Sequence, residues 1–404
     1  MSDPLDVVIV GAGQAGLATS HELAKHGVSH VLLEKGRVGQ TWRGRWESFC
    51  LVTPNWSMQL PDQPYDGQDP DGFDSRDEIV GFLERYALGN DTPLREGVEV
   101  TALDQVNGHG FRLRTSAGDI EATTVVLSTG AFQKPHRPDV AASLPAGLLQ
   151  IDVEDYAEPS GLPDGPVLVV GSGQSGCQIT EELHESGREV FLACGRTPWA
   201  PRRMGGHDLF WWLEESGFLS APVDSVSPSA RLFANIVASG HDGGHDLNLR
   251  TLHERGVNLL GHFAGAEGSR ARFHADLEQS VEWGDQRHGQ LKDLFTKFAA
   301  GQGIPAPEMP DPAPLTVDTP EQIDLAGFGA VIFAVGFRPD YGSWVNIPDA
   351  FDEFGFPVQK EGASTVAPGL YFVGAHFLRN RKSSLFIGVG DDASIVADAI
   401  AADS

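Results

Sequence analysis

The stretch Asp6-Val7-Val8-Ile9-Val10-Gly11-Ala12-Gly13-Gln14-Ala15-Gly16 decides the fold of the first part of the chain. An apolar run leads into three glycines at the spacing G-x-G-x-x-G, and a helix-compatible run follows them. In units of this kind a strand enters a tight turn, and the turn opens a helix whose backbone N–H groups and positive end face a pyrophosphate. The sequence therefore predicts a Rossmann-like dinucleotide-binding unit that begins near Leu5.

Each glycine of this loop has a separate predicted role. Gly11 permits the tight turn, Gly13 lets the backbone approach the phosphates, and Gly16 lets the helix pack closely on the strand. The next apolar run ends in Glu34, at the spacing that places a carboxylate on the ribose hydroxyls. Such a carboxylate repels a 2′-phosphate, so the site suits FAD or NAD and not NADP. The residues assigned to this site are Gly11, Gly13, Gln14, Ala15, Gly16, Glu34 and Lys35.

A second loop of the same kind follows the apolar run Val167 to Val170. Its next strand ends in Cys194-Gly195-Arg196, with no acidic residue at the ribose position. Arg202 and Arg203 lie just beyond, and arginine offers a planar fork of donors that suits a 2′-phosphate. This loop therefore favours NADPH, although Arg202 and Arg203 could also be a solvated pair near a turn. The residues assigned to this site are Gly171, Ser172, Gly173, Gln174, Ser175, Gly176, Arg196 and Arg202.

Two such loops imply two nucleotides bound at once, as in enzymes that pass a hydride from nicotinamide to flavin. The predicted fold class is α/β, with two Rossmann-like dinucleotide-binding domains and the NADPH domain inserted into the FAD domain. Residues 1–160 would form the first part of the FAD-binding domain. Residues 161–340 would form the NADPH-binding domain with an inserted segment near 205–240, and residues 341–404 would return to the FAD-binding domain.

Composition narrows the possible partners. The 404 residues carry a formal net charge of −27, which repels nucleic acid and anionic membrane surfaces at long range. No apolar run is long enough for a transmembrane helix, and no secretion signal precedes the first strand, so we expect a cytoplasmic protein. The three cysteines form no C-x-x-C pair, and we expect no metal site. A homo-oligomer is possible.

Local signals give further expectations. Ser75 to Tyr86 reads as an N-capped amphipathic helix, and Ser394 to Ala402 as a closing helix with Asp391 and Asp392 at its positive end. His241, His245 and Asp246 resemble a metal cluster but lack a matching ligand set. The aromatic residues of the inserted segment, Phe210, Trp211, Trp212 and Phe218, could form a substrate portal or attach a helix to the core.

The order of the motifs resembles that of class B flavin-dependent monooxygenases. This family includes flavin-containing monooxygenases, Baeyer–Villiger enzymes and bacterial proteins labelled as flavoproteins of potassium transport. The resemblance covers nearly the whole chain. It rests on the two glycine loops together with Gly39-Gln40-Thr41-Trp42, Ser128-Thr129-Gly130 and Ala334-Val335-Gly336-Phe337-Arg338-Pro339.

The resemblance implies further cofactor contacts. Gly39, Gln40, Thr41 and Trp42 would lie along the isoalloxazine and ribityl groups, and Val100 would meet the adenine through its backbone. Thr129 and Gly130 would lie near the FAD phosphates, with Val335 and Gly336 at the corresponding crossing of the NADPH domain. Gly374 and the run Ser383 to Phe386, which contains Leu385, would close over the flavin ring.

The chain departs from the family pattern at two places. In the monooxygenase fingerprint a histidine is followed four residues later by an aromatic residue; here Tyr156 fits the aromatic and Asp152 occupies the histidine place. The family's active-site asparagine, counted back from Met58, would fall on Thr53; Asn55, two residues later, is the candidate for a flavin-side donor. The competing interpretation of Asn55 is a loop-capping residue.

The resemblance implies an FAD- and NADPH-dependent monooxygenase. Such an enzyme oxygenates a nitrogen, a sulfur or a ketone of a small organic substrate with O₂, through a C4a-hydroperoxyflavin. One alternative is an NADPH oxidase or electron-transfer flavoprotein reductase without oxygen insertion. Another is a non-catalytic flavin-binding regulatory protein.

Overall fold

A computed structural model describes residues 5–106, 110–232 and 235–403. The strands are β1 (Leu5–Val10), β2 (His30–Glu34), β3 (Leu94–Glu96), β4 (Val100–Gln105), β5 (Phe111–Thr115), β6 (Ile120–Leu127), β7 (Lys134–Pro135), β8 (Leu149–Asp152), β9 (Val167–Val170), β10 (Val190–Ala193), β11 (Arg203–Met204), β12 (His207–Asp208), β13 (Asn258–Leu260), β14 (Phe263–Glu267), β15 (Arg270–Phe273), β16 (Gln322–Asp324), β17 (Ala330–Phe333), β18 (Phe337–Arg338), β19 (Gln359–Lys360), β20 (Ala363–Ser364) and β21 (Leu370–Phe372). The helices are α1 (Gln14–Lys25), α2 (Gln40–Arg43), α3 (Arg76–Gly89), α4 (Gln174–Glu185), α5 (Leu209–Glu215), α6 (Leu249–Arg255), α7 (Leu277–Gln302) and α8 (Phe386–Asp403).

The first sheet is built around β1. Strands β2 and β6 flank it in parallel, β3 extends the sheet beyond β2, and β21 returns from the far end of the chain to pair with β6. Val7 to Val10 are all buried, as expected for a parallel strand covered on both faces. The return of β21 makes residues from both ends of the chain part of one domain.

The second sheet has the strand order β13-β10-β9-β17-β8, and all its pairs are parallel. Every residue of β9 and of β17 is buried. Strand β8 lies upstream of the boundary predicted at residue 160 and yet pairs with β17. The second unit therefore recruits a strand from the segment that precedes its glycine loop.

A short two-stranded crossing joins the two units. Strand β7 leaves the first unit and pairs in antiparallel fashion with β18, which follows the last central strand of the second unit. The Pro-rich stretch Lys134 to Pro138, called the hinge below, thus has its return strand directly beside it. This arrangement brings the outgoing and returning chains together at one place between the sheets.

The helices predicted after the two glycine loops and after Ser75 are present, and the closing helix begins earlier than predicted. Helix α3 begins after Ser75, whose hydroxyl accepts from the backbone N–H of Glu78 while the Glu78 carboxylate accepts from that of Ser75. The closing helix α8 begins at Phe386, so the prediction that Asp391 and Asp392 lie at its positive end is wrong. Asp392 is instead buried within the helix and pairs with Arg379 at 2.7 Å. The long helix α7 was not predicted.

Among the residues that the structure describes, no helix is long and apolar enough to cross a membrane.

Candidate functional site

The first glycine loop turns at the carboxyl end of β1. Gly11 has a φ of +105°, and a Cβ placed on it would lie 2.6 Å from the carbonyl oxygen of Ser128. A Cβ on Gly16 would lie 1.9 Å from the carbonyl oxygen of Gly11. Because any side chain here would collide with backbone, both positions require glycine. The loop is therefore held tightly against the end of β6.

The amino end of α1 opens from this loop. Its N-cap, Gly13, supplies no side-chain cap, and the first turn of the helix contains no acidic residue. A Cβ on Gly13 would meet no described atom within 4 Å, so the space beside this residue is open. An uncapped helix start beside open space is the arrangement that receives a pyrophosphate. Gln14 and Ala15 form the first residues of the helix.

Glu34 closes the ribose side of this crevice. It is the last residue of β2 and only 7% exposed. Its carboxylate accepts from the backbone N–H groups of Ala12 and Gly36, each at 2.8 Å, which holds it against the glycine loop. A carboxylate oxygen has more than one lone pair, so these bonds leave capacity to accept from ribose hydroxyls. Lys35, the next residue, is exposed.

The predicted flavin-side residues lie around the start of α1. Gly39 has a φ of +69° and donates its N–H to the carbonyl of Ala12 at 3.0 Å, and Gln40 and Thr41 behind it are exposed. The indole N–H of Trp42 donates to the side-chain oxygen of Gln14 at 3.0 Å. The Trp42 ring stacks on Phe386, with centroids 5.6 Å apart. The structure therefore brings the Gly39–Trp42 motif to the first glycine loop.

The return segment reaches the same place. Gly374 follows β21 with a φ of +77°, and a Cβ on it would lie 2.4 Å from the Cβ of Ala15. The Gln14 side-chain N–H donates to the Ser384 carbonyl at 3.1 Å. Leu385 lies just before α8 and accepts from the N–H of Val389 at 2.9 Å. Two residues that are 370 positions apart in sequence, Gln14 and Ser384, thus meet at the start of one helix.

Thr129 and Gly130 also border the first crevice, and Val100 lies two residues after Val98, which contacts Glu34. The Thr129 Cα would be 3.3 Å from a Cβ on Gly11. Gly130 has a φ of +82°. Val100 is the first residue of β4 and pairs with Thr115, while it is Val98 whose N–H donates to the Glu34 carbonyl, at 2.9 Å.

Sequence reasoning missed Gln133. Its amide N–H groups donate to the Thr129 hydroxyl and the Gly130 carbonyl, both at 3.0 Å, and its side-chain oxygen accepts from the Asp340 N–H at 2.6 Å. This single side chain connects the edge of the first crevice to the segment that returns from the second unit. A lone glutamine beside a Pro-rich hinge carries no pattern that would have singled it out.

The second glycine loop repeats the geometry of the first. Gly171 has a φ of +107°, and a Cβ on it would lie 2.6 Å from the carbonyl oxygen of Ala334; a Cβ on Gly176 would lie 1.8 Å from that of Gly171. Gly173 is the N-cap of α4 and, like Gly13, has no side-chain cap. The predicted residues Val335 and Gly336 occupy the same position beside Gly171 that Thr129 and Gly130 occupy beside Gly11. The two loops are structural equivalents.

The ribose side of the second crevice differs in charge. Ser172 accepts from the Gly195 N–H at 2.9 Å and bonds the Thr197 hydroxyl at 2.9 Å, which fixes the turn after β10. Arg196 projects from this turn and is exposed. An exposed guanidinium at the end of the strand that follows the glycine loop suits a 2′-phosphate.

Other residues of the second loop are tied to the inserted segment. The Gln174 side chain exchanges hydrogen bonds with the backbone of Ala238: its oxygen accepts from the Ala238 N–H at 3.0 Å, and its N–H donates to the Ala238 carbonyl. Ser175, the next residue, is half-buried at the start of α4. The segment near 205–240 therefore packs beside the second crevice; its residues 233–234 lie outside the described residues.

The assignment of Arg202 to the nucleotide is corrected by its surroundings. Its side chain is only 2% exposed, forms an ion pair with Asp208 at 2.9 Å, and donates to the Val52 carbonyl at 2.8 Å. The guanidinium also lies 4.3 Å from the centroid of the Phe73 ring. Burial lowers its pKa to about 10, against the opposing effect of Asp208. Arg202 is thus a structural residue between the units, and Arg203 donates to the Gly243 carbonyl at 3.0 Å.

Asn55 has the contacts of a loop-capping residue. Its amide N–H groups donate to the Tyr65 hydroxyl at 3.3 Å and the Asp69 carbonyl at 3.0 Å, while its oxygen accepts from the Asp74 N–H. Since both ends of the amide are engaged within residues 55–74, the loop beside the first unit depends on this residue. These bonds match the loop-capping alternative, and the role as a flavin-side donor stays a prediction.

Asp152 lies at the carboxyl end of β8 and pairs with Arg137 of the hinge at 2.7 Å. The Arg137 guanidinium also covers the Phe333 ring, 4.9 Å from its centroid. The residue at the fingerprint histidine place therefore connects the second sheet to the chain that joins the two units.

The other candidate clusters serve packing. His245 bonds the buried Glu181 carboxylate at 2.7 Å, and Asp246 accepts from the Arg202 N–H at 2.6 Å. Trp212 is buried and packs against Phe295 of α7, with ring centroids 5.8 Å apart. The contacts of Trp212 are those of the alternative in which the aromatic residues attach a helix to the core.

Comparisons with known proteins place the chain among flavoprotein oxidoreductases. Residues 8–209 match the family described as pyridine nucleotide-disulphide oxidoreductase. An uncharacterized oxidoreductase CzcO-like of Geobacillus kaustophilus is 31% identical over 99% of both chains. Indole-3-pyruvate monooxygenase YUCCA1 of Oryza sativa is 31% identical over 50% of this chain and 51% of its own length.

Solved structures show the same fold. A flavin-containing monooxygenase from Stenotrophomonas maltophilia superimposes with a TM-score of 0.70 and 19% identity, and covers 99% of both chains. An ornithine N-hydroxylase from Kutzneria, whose structure is described with reduced FAD and NADP⁺, gives a TM-score of 0.65 at 16% identity over 99% of both chains. The predicted fold class is confirmed.

The cofactor prediction is confirmed at the level of the family, whose members use FAD and NADPH, and both crevices fit a dinucleotide. With the match over residues 8–209 and the full-length relative at 31% identity, the chain belongs to the pyridine nucleotide-disulphide oxidoreductase family, among its CzcO-like, class B flavin monooxygenase-like enzymes.

Proposed function

We propose that this protein is an NADPH-dependent flavin monooxygenase that binds FAD in the first crevice and NADPH in the second. It oxygenates a nitrogen, a sulfur or a ketone of a small organic molecule. For a sulfide, one atom of O₂ enters the product as a sulfoxide oxygen. The other leaves as water, formed with the hydride of NADPH and one proton from solvent.

One observation carries the proposal: two crevices of matching geometry end in opposite charges. Gly11 and Gly171 have nearly the same φ, +105° and +107°. A Cβ built on either residue would lie 2.6 Å from a backbone carbonyl oxygen. The first crevice ends in the carboxylate of Glu34, which rejects a 2′-phosphate. The second ends in the exposed Arg196, which accepts one. This difference sorts two adenine dinucleotides between the crevices without exchange.

When bound, FAD supplies the redox chemistry, from acceptance of the NADPH hydride to transfer of oxygen. The residues of this chain bind and orient. The glycine loops and helix starts hold the pyrophosphates, and the stacked Trp42 and Phe386 pack beside Gln14 at the start of α1. Exclusion of water at such a place protects reactive intermediates from hydrolysis.

The cysteines argue against a dithiol relay. Cys177 and Cys194 are buried, and burial raises the pKa of the Cys177 thiol to about 12 and that of the Cys194 thiol well above its usual value. Thiols with raised pKa values are poor nucleophiles. Cys50 is half-buried, and burial raises its pKa to about 11. None of the three has the low pKa that disulfide reduction requires.

The alternative of an NADPH oxidase rests on Asp152. An aspartate that pairs with hinge residue Arg137 stands where the fingerprint has a histidine, at the connection between the units. If that histidine is needed to keep oxygen chemistry coupled to a substrate, its absence favours release of H₂O₂.

Stopped-flow spectroscopy separates the two. NADPH-reduced holoenzyme is mixed with O₂, and the flavin spectrum is followed together with H₂O₂ and with products from a sulfide, an amine and a ketone. We expect a flavin–oxygen adduct that decays faster when its substrate is added, with product formed. Direct reoxidation with H₂O₂ equal to the NADPH consumed, whatever is added, would establish the oxidase instead.

A further inference from the structure

The return segment after β21 holds a second group of functional side chains, next to the predicted flavin-side residues. His376 and Arg381 both lie between Gly374 and Ser384, whose carbonyl bonds Gln14 at the start of α1. The inserted segment of the second unit covers this stretch. The two side chains thus lie where the two units meet, beside the first crevice.

The inserted segment holds this stretch in place on both sides of Arg381. The Val223 N–H donates to the Arg379 carbonyl at 2.7 Å, and the Lys382 N–H donates to the Leu219 carbonyl at 3.1 Å. The Lys382 ammonium also pairs with Glu214 of α5 at 2.6 Å. The backbone that carries Arg381 is therefore fixed before any ligand arrives.

Arg381 differs from the neighbouring cations in having no anionic partner among the residues that the structure describes. Arg379 pairs with Asp392 and Glu361, and Lys382 pairs with Glu214. No carboxylate in the described ranges lies within ion-pair distance of Arg381, and its Nε is shielded from solvent without a hydrogen-bond partner there. Burial alone lowers its pKa. In a chain with a net charge of −27, a half-buried arginine that pairs with no carboxylate of the described residues can bind an external anion.

Aromatic rings surround this guanidinium. Its central carbon lies 4.4 Å from the centroid of Phe218, on the inserted segment, and 5.0 Å from that of Phe377. Phe377 is a buried residue at a φ of +52°. Such a backbone conformation is costly for a residue with a bulky side chain, and it persists where the surroundings impose it, often at binding sites.

His376 adds a second polar group to the same cluster. Its Nδ1 is shielded and has no hydrogen-bond partner among the described residues. Burial, and then the positive charges of Arg381 and Arg231, lowers the pKa of His376 to about 4. The ring is therefore neutral at physiological pH and can donate one N–H to a ligand oxygen.

We infer that Arg381, His376, Phe218 and Phe377 form a substrate subsite for the carboxylate of a small acid with an apolar, preferably aromatic, body. The guanidinium binds the carboxylate, His376 donates to it, and the half-buried Phe218 packs on the apolar part, while the buried Phe377 supports the guanidinium. Both polar residues are half-buried, so a small ligand can reach them from solvent. The inference rests on the proposed function and names the substrate class for it.

The test uses two probes of the same shape, (phenylthio)acetate and (phenylthio)acetamide. Both carry an oxidisable sulfur, but only the first carries a negative charge. Their dissociation constants are measured by calorimetry on the purified FAD-loaded protein, without NADPH. Because a charge-assisted bidentate contact exceeds a neutral one, we expect the acid to bind at least about 10-fold more tightly than the amide.

The variants are Arg381→Gln and Arg381→Lys, with Arg112→Gln as the matched control. Arg112 is exposed on β5 of the first unit and pairs with Glu121 of β6. Arg381→Gln should reduce the preference for the acid to about twofold or less, Arg381→Lys should retain part of it, and Arg112→Gln should retain all of it. Retained FAD content shows that each variant has folded.

Equal binding of acid and amide by the unaltered protein, binding of neither at millimolar concentration, or an undiminished preference in Arg381→Gln would overturn the inference. Binding is measured without turnover, so this result is separate from the oxygenation assay. A protein that prefers the acid but only releases H₂O₂ would contradict the proposed function and leave the subsite in place.

Discussion

Replacement of Arg196 by alanine gives the sharpest test of how the second crevice selects its nucleotide. Arg196 follows β10, and its neighbours fix its backbone: the Gly195 N–H donates to Ser172, and Ser172 bonds the Thr197 hydroxyl. Its side chain is exposed. The substitution therefore removes a charge at the ribose position while the loop that carries it keeps its hydrogen bonds.

The size of the effect follows from the lost contact. A hydrogen bond to a charged group contributes about 1.5–3 kcal/mol. Since about 1.4 kcal/mol corresponds to a factor of ten, the loss in kcat/KM for NADPH should lie between about 10-fold and 150-fold. NADH has no 2′-phosphate, so its kcat/KM should change by about twofold or less. The ratio of the two nucleotides then falls by nearly the whole of the NADPH effect.

The assay is anaerobic flavin reduction, followed at the flavin absorbance with NADPH or NADH as the donor. Flavin reduction reports the second crevice without depending on any substrate to be oxygenated. Arg270→Ala is the matched control, because it removes the same charge from an exposed strand of the same unit. Ionic strength is varied as well, since a phosphate contact weakens with salt.

Two results would refute the reasoning. Equal losses for NADPH and NADH would mean that Arg196 supports the loop and does not read the phosphate. No loss for either nucleotide would mean that another group selects it. In both cases FAD content should be unchanged, because the first crevice has its own glycine loop and its own carboxylate.

Three further predictions follow from the same structure. Gly11→Ala and Gly171→Ala each place a Cβ 2.6 Å from a backbone carbonyl oxygen. The first variant should lose bound FAD, whereas the second should keep FAD, measured by its absorbance, and lose flavin reduction by NADPH. Arg202→Ala should destabilise the fold by about 3–5 kcal/mol in denaturant unfolding, because it leaves a buried carboxylate unpaired, and an unchanged midpoint would contradict its structural role. His376→Gln should flatten the pH dependence of stability. The folded-state pKa of His376, about 4, lies below the usual value of 6.5, so the unfolded chain binds more protons between these values and the unaltered protein loses stability as the pH falls from 6.5 to 4. Parallel curves of stability against pH for the two proteins would contradict this.

Much of the fold could be read from local patterns. The two glycine loops, the strands before them and the capped helix after Ser75 depend on neighbours in sequence, and the structure has them where they were predicted. Their signals are strong because sterics leave so few residues for a given turn: only glycine tolerates a φ near +105° beside a carbonyl. Glu34 was also identified from local sequence, because one helix and one strand set its distance from the loop.

The errors occurred where the answer depends on distant parts of the chain. Arg202 has the same appearance in sequence as a phosphate-binding arginine, and its burial arises from contacts with Val52 and Asp208. Asp392 was assigned to a helix start, but a turn of apolar residues extends α8 back to Phe386, and Arg379 then provides a partner inside the fold. A charge pattern cannot reveal which charges the fold will bury together.

By itself the sequence determined that this is a two-nucleotide flavoprotein, because each dinucleotide loop is specified within about thirty residues by steric limits on the backbone. Only the tertiary structure decided that β8 joins the second sheet, that Asp152 pairs with Arg137, and that Arg381 lies against Phe218 with no carboxylate of the described residues as its partner. These depend on which surfaces of the two units meet, and that is settled by burial and charge summed over the whole chain.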